Sequence, residues 1–171
     1  RVKKVAALAG RSARSKQGKI LVEGPQAVRE LVRYRSSFVE DVYYTALAAQ
    51  THPDVIEDAR RACRWVHEVT DEVSEALSRD SQGICAVARS GAIQSELPEI
   101  HAGDCVVVLA QGRDPGNAGT IMRTADAMGA RAIIAVKGSV DASNPKVIRS
   151  SAGSVFHLPI VPLSSFDEAC Q

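Results

Sequence analysis

Short apolar runs alternate along this chain with stretches whose apolar positions recur every three or four residues, the signatures of buried strands and one-sided helices. The pattern predicts a strand over Lys19–Glu23, a helix over Pro25–Tyr34 begun by proline in its first turn, and a strand over Phe38–Thr45. A helix over Pro53–Ala62, a strand over Trp65–Val69, a short helix from Thr70 to Leu77 and an apolar strand over Gly83–Ala88 follow. Together these make a small α/β/α domain over residues 1–89. The Gly, Ser and Pro of segment 90–103 mark a linker. The pattern resumes with a strand over Cys105–Ala110, a helix over Ala118–Met128, a strand over Ala132–Val136, a helix over Pro145–Ala152 and a strand over Val155–Ile160. Asn144 suits an N-cap and Pro145 the first helical position. Strands joined by helical crossovers imply a parallel, doubly wound sheet over residues 104–171. Ser164 to Glu168 carries a capping-box pattern that announces one more helix.

Bulk composition adds little. The 171 residues are 45% hydrophobic and 24% charged, ordinary for a chain with a real core, and the net charge is only +1. No apolar run approaches the length needed to span a membrane, so no membrane partner is expected. Cys63, Cys85, Cys105 and Cys170 show no metal-ligand spacing, and no metal is expected; Cys85 and Cys105 read as small buried hydrophobes. The pattern fits a soluble protein of the reducing cytoplasm. His52, His67, His101 and His157 are scattered and read as structural or surface residues. The charge distribution says more than the total. Between Arg1 and Val22 the chain has seven basic residues and no acidic one. Arg11, Arg14, Lys16 and Lys19 belong to that stretch, which reads either as a phosphate-binding element or as a solvated basic face.

The most specific segment is Gln111–Ala130, QGRDPGNAGTIMRTADAMGA, where an apolar strand ends in a polar turn and opens a helix. Such turns hold the chemistry of α/β proteins. The triphosphate loop G-x-x-x-x-G-K-[ST] is absent, and Gly116 and Gly119 do not make the dinucleotide pattern G-x-G-x-x-G. The segment reads D-P-x-N-x-G-x-I-x-R-T-A, and in this it resembles the first motif of the SpoU/TrmH family, RNA ribose 2′-O-methyltransferases of the SPOUT superfamily. Two more segments carry the resemblance in the same order. NPKVIRSSAGSVFHLPI, residues 144–160, is similar to a second family motif, and KQGKILVEGPQAVRELV, residues 16–32, to the family's N-terminal RNA-recognition domain. The resemblance spans nearly the whole chain.

It implies a ribosomal-protein-like RNA-binding domain followed by an α/β-knot methyltransferase domain. It also implies S-adenosyl-L-methionine as cofactor, ribosomal RNA ahead of transfer RNA as substrate, and a homodimer. By the same resemblance, the third motif, the cofactor contacts and the segment that completes the trefoil knot are expected beyond Gln171, and the chain alone is expected to be inactive.

The resemblance assigns catalysis to Asn117 and Arg123. Asn117 could hold ribose or phosphate through its amide, or simply cap the helix. A guanidinium is always protonated and has no acceptor, so Arg123 suits stabilisation of a developing alkoxide better than proton removal. Its rival reading is a surface ion pair with Asp126 at i+3. Ile121, Ala125 and Met128 read as the apolar face of this helix, Gly119 as a point of close backbone approach, and Gly129 as the residue that ends the helix. Arg149 reads as an RNA phosphate contact, across a dimer interface by the resemblance, or as a solvated helix end. Two other classes stay open at this point: an RNA-binding protein without catalysis, and a nucleotide-binding α/β domain.

Overall fold

The computed structural model describes residues 1–169; Cys170 and everything expected beyond Gln171 lie outside the described residues. The first half has six α-helices, Val2–Ala6 (α1), Arg11–Gln17 (α2), Pro25–Arg35 (α3), Ala46–Thr51 (α4), Pro53–Ala62 (α5) and Asp71–Leu77 (α6). They surround a sheet of Lys19–Glu23 (β1), Val39–Tyr44 (β2), Val66–Glu68 (β3) and Ile84–Arg89 (β4), in the order β1-β4-β2-β3. β4 runs antiparallel to both its neighbours, and β3 lies parallel to β2.

The solid apolar runs of β1 and β4 have a simple cause. Successive side chains of a strand point to opposite faces, and here both faces are covered. Ile20, Val22, Ala86 and Ala88 join Val28 and Leu31 of α3 and Val55, Ile56 and Ala59 of α5. On the other face Leu21, Tyr43, Cys85 and Val87 meet Val5, Leu8 and Leu77. The basic N-terminal stretch forms α1 and α2, and Gly18 ends α2 in a left-handed turn (φ +62°) that leads straight into β1. The short helix α4, which apolar spacing does not announce, is started by Thr45, whose Oγ1 accepts from the Ala48 amide at 3.2 Å.

The second half contains Val106–Leu109 (β5), Pro115–Ala127 (α7), Ala132–Val136 (β6), Pro145–Ser150 (α8), Ile160–Leu163 (β7) and Phe166–Ala169 (α9). Its strands form a parallel sheet in the order β5-β6-β7. The capping pattern before α9 is realised: Ser165 Oγ accepts from the Glu168 amide, and Glu168 accepts from the Ser164 amide at 2.9 Å. Segment 155–160 is not one strand, as its apolar run suggests. Ala152 and Gly153 take positive φ, Ser154–Phe156 make a single 3₁₀ turn, and the strand begins only at Ile160. Val155 and Phe156 are apolar because this turn is plugged into the core (1% exposed each).

That core does not stop at the linker. One continuous apolar cluster runs from Ile20, Val28 and Leu31 to Met122, Ile133, Ile148 and Phe156. Helix α3 packs both on the first sheet and on α8 and the 3₁₀ turn of the second half.

Candidate functional site

The site is built at the start of α7. Asp114 is its N-cap, its Oδ1 accepting from the Asn117 amide at 2.7 Å, and Pro115 is the first helical residue. The helix thus begins three residues before its apolar pattern does. Because Asp114 does the capping, the Asn117 side chain does not; it is exposed and has no hydrogen-bond partner among the described residues. Arg123 is also exposed and has no ion pair among the described residues. Asp126, its candidate partner, lies instead 2.7 Å from His157 Nδ1. Arg123 lies six positions after Asn117, about 9 Å along the axis. At 3.6 residues per turn they also point about 120° apart around the axis, both outside the buried face, and a long helical side chain leans back toward the N-terminus, shortening the axial gap.

The buried face of α7 differs from the expected one. Ala118, Gly119, Met122 and Ala125 are buried, whereas Ile121 and Met128 are exposed. The apolar strip of Cys105, Val107, Ile121 and Met128 lies on the outer side, against the edge strand β5. Cys105 is accordingly exposed, contrary to its reading as a buried residue. Cys85 is buried, and desolvation pushes its thiol up to about 12, so it stays protonated.

α7 is braced at several points. A Cβ on Gly119 would stand 2.7 Å from the Ser151 amide nitrogen, so the close approach permitted there is to α8. Ser150 Oγ donates to the Pro115 carbonyl at 2.9 Å. The loop before the helix is held by Ser139 Oγ, which donates to the Leu109 carbonyl, and by the Val140 amide, which donates to Gly112, both at 2.7 Å. At the far end, Gly129 (φ +74°) donates to Asp126 and Ala130 donates to Ala125, a Schellman ending.

The expected RNA-contacting cations separate into two groups. Arg11 and Lys16 are exposed and have no ion pair among the described residues. Lys19 lies 2.5 Å from Glu40. Arg14 is a correction to the basic-face reading: it is 5% exposed, and its guanidinium donates to the carbonyls of Leu8 and Ala9, to Ser143 Oγ and to Asp141 Oδ2. Burial alone would raise the Asp141 carboxyl, but hydrogen bonds from Ser143 and Arg14 hold it below its ordinary value. Arg149 is not a solvated helix end. It lies 2.7 Å from Glu23 and 2.9 Å from Asp80, both on the N-terminal half. His157 completes the set of cross-links, with Nε2 2.9 Å from Glu30 Oε2. None of these pairings leaves a signal in apolar periodicity. Among the described residues no His, Cys, Asp and Glu cluster could hold a metal, and no helix is long and apolar enough to cross a membrane.

Known proteins resemble both halves. Residues 104–171 match the SpoU rRNA Methylase family, and residues 1–86 match the MRM3-like substrate binding domain. The mouse mitochondrial rRNA methyltransferase 3 is 30% identical over 153 residues, covering 86% of this chain and 36% of that protein. The Bacillus subtilis 23S rRNA (guanosine(2553)-2′-O)-methyltransferase RlmP is 38% identical over 86 residues, 43% of this chain and 35% of that one. The chain thus spans about a third of the length of these relatives through its matched part. A crystal structure of an AdoMet-bound rRNA methyltransferase from Sinorhizobium meliloti superposes with a TM-score of 0.77 at 28% identity, over 99% of this chain and 63% of that one. The mixed α/β fold, the capped helix after β5 and the matches to both halves lead to one assignment: the chain belongs to the SpoU rRNA methylase family.

Proposed function

We propose that this chain reads ribosomal RNA with its first half (residues 1–89) and positions a ribose 2′-OH for methylation with its second (residues 104–171). The observation that carries the reading is Arg123. It is a guanidinium without a carboxylate partner among the described residues, on the open side of a helix braced at both ends. The name of the B. subtilis relative supports ribose 2′-O as the acceptor and 23S rRNA as the substrate class.

The reaction forms an oxygen–carbon bond at the 2′-OH, breaks a sulfur–carbon bond and releases the hydroxyl proton. S-adenosyl-L-methionine, the proposed cofactor, supplies the electrophilic methyl on its sulfonium. Among the described residues none is assigned to hold it; the residues present fit the acceptor side of the reaction. Arg123 stabilises the alkoxide that develops on the 2′-oxygen, lowering the cost of its ionisation. Having no acceptor, it does not take up the proton, which passes directly from the 2′-OH to water or a phosphate oxygen. Asn117, free of any capping duty, orients the ribose or its phosphate. A homodimer in the cytoplasm belongs to the same reading, and the exposed strip of Ile121 and Met128 offers apolar surface for assembly to cover.

The test is to incubate the full natural protein with labelled S-adenosylmethionine and total RNA from a strain lacking it, then digest with alkali. A labelled, alkali-resistant dinucleotide shows methylation of a 2′-OH, and its parent RNA names the substrate. RNA binding with no label in any RNA would replace this reading with a non-catalytic RNA reader.

A further inference from the structure

A trench runs between the two halves, at the carboxyl ends of the parallel strands β6 and β7. Its larger part has a volume of about 730 Å³, and its lining includes Val136, Pro162, Arg11 and Lys137. A second cavity of about 280 Å³ continues it toward Lys19, and the two share Arg11, Ser90, Asp141 and Ser143. We infer that this trench is the track of the RNA backbone that delivers the substrate strand to Asn117 and Arg123, with Arg11 and Lys137 as its phosphate contacts. The inference rests on the methyltransferase reading above and adds to it a path and two residues.

The carboxyl ends of parallel strands are where open α/β sheets receive ligands. The charge of the trench selects an anion. Arg11 and Lys137 are exposed and have no carboxylate partner among the described residues. The carboxylate in the lining, Asp141, is already neutralised by Arg14 at 2.9 Å and held by Ser143 at 2.8 Å. Its lining contains serine hydroxyls but no aromatic side chain, so it suits phosphate and ribose and offers no platform for stacked bases. Two adjoining cavities with shared walls make an elongated site, which fits a polymer better than a single nucleotide.

The trench is also tied to the loop that opens the reaction site. Its wall, the loop around Ser139 and Val140, is hydrogen-bonded to Leu109 and Gly112, a few residues before the Asp114 cap. Lys137 is held at that wall by its own backbone, its amide donating to the Leu163 carbonyl at 2.8 Å. Arg11 is the first residue of α2.

The test measures binding of the full natural protein to a labelled oligouridylate, a sequence-neutral single strand, across a range of salt concentrations. Lys137→Ala and Arg11→Ala should each lower the slope of log affinity against log salt by about one, and the double variant by about two. Arg61→Ala, a surface cation elsewhere on α5, should leave the slope unchanged. Circular dichroism verifies that each variant is folded. An unchanged slope for Lys137→Ala, with wild-type binding intact, overturns the track and leaves the methyltransferase reading standing. Saturable binding of AMP that Lys137→Ala abolishes, with the oligouridylate slope unchanged, also overturns it, in favour of a small-ligand pocket. A wild-type protein that binds no RNA overturns both.

Discussion

Nη1 of Arg149 lies 2.7 Å from Oε2 of Glu23, joining positions 126 residues apart in the chain. Glu23 ends β1 and is only 7% exposed; its other oxygen accepts from Ser78 Oγ at 2.8 Å. The residue after Arg149 is Ser150, whose hydroxyl holds the Pro115 carbonyl in the first turn of α7. A single peptide step therefore connects the N-terminal half to the helix that carries Asn117 and Arg123. Arg14 with Asp141 and His157 with Glu30 tie the halves together at two further places. With a continuous apolar core behind them, these pairs hold the two halves against each other.

Replacing Arg149 by alanine leaves the Glu23 carboxylate buried with Ser78 as its remaining partner. Losing a charged hydrogen bond at such a site costs about 2 kcal/mol of stability. Because the side chain is engaged within the protein, the salt dependence of RNA binding should stay unchanged in Arg149→Ala. A denaturation curve and a binding titration at several salt concentrations check both points; a fall of the slope by about one would return Arg149 to the RNA interface.

Arg123→Ala should lower methylation by a factor on the order of 10²–10³, the usual loss when one donor to a developing oxyanion is removed. Stability should hardly move, since the side chain is exposed and unpaired among the described residues. RNA affinity should fall little. Single-turnover methylation of bound RNA by the full natural protein, beside a melting curve, separates these effects. Retained activity would place the alkoxide elsewhere.

Gly119→Ala tests the contact of α7 with α8. Alanine would favour a helix by about 1 kcal/mol, but its Cβ would meet the Ser150 side chain and the Ser151 amide nitrogen at 2.7 Å. Backbone cannot swing aside as a side chain can, so overpacking of about 1–3 kcal/mol should win. Urea denaturation should show net destabilisation, and removing the Ser150 hydroxyl in the same chain should recover only part of it. A more stable Gly119→Ala protein would mean that the helices do not approach so closely.

The Arg14–Asp141 pair carries a pH signature. The Asp141 carboxyl is held below its ordinary value in the folded chain. Its contribution is therefore complete above the unfolded carboxylate's pKa, about 3.9. It is lost as the pH falls from there through the lower folded value. Arg14→Met removes the cation, so the folded value rises and this part of the acid-side loss should shrink. Asp141→Asn should have the same effect on the pH profile. Thermal melts between about pH 2.5 and 6 measure the difference; identical acid limbs in wild type and Arg14→Met would dismiss the pair as a source of acid sensitivity.

Much of the site is legible in the residues alone. Asp114, Pro115, Asn117 and Arg123 stand within ten positions, where cap chemistry and helix geometry are local. The start of α7 is misplaced by apolar spacing for the same reason: the cap at Asp114 begins the helix before any residue turns inward. The apolar face is harder to read. Ile121 and Met128 are as hydrophobic as any core residue, and nothing in their spacing tells that Gly119 and Met122 face inward instead. Arg14 shows the same limit with the opposite sign. Its basic neighbours suggest a surface, while the carbonyls of Leu8 and Ala9 and a carboxylate 127 residues away make it an interior residue.

By itself the sequence determined most of the strands and helices in their order, the capped turn after β5 and the family to which the chain belongs. Each depends on interactions between residues close along the chain, which leave a period or a motif. Tertiary structure alone decided how the halves are joined, which cations remain open to a phosphate and where the trench lies. Those outcomes depend on pairs such as Arg149 with Glu23 and His157 with Glu30, brought together by burial of a shared core. A charge carries no mark of its partner until that core has formed.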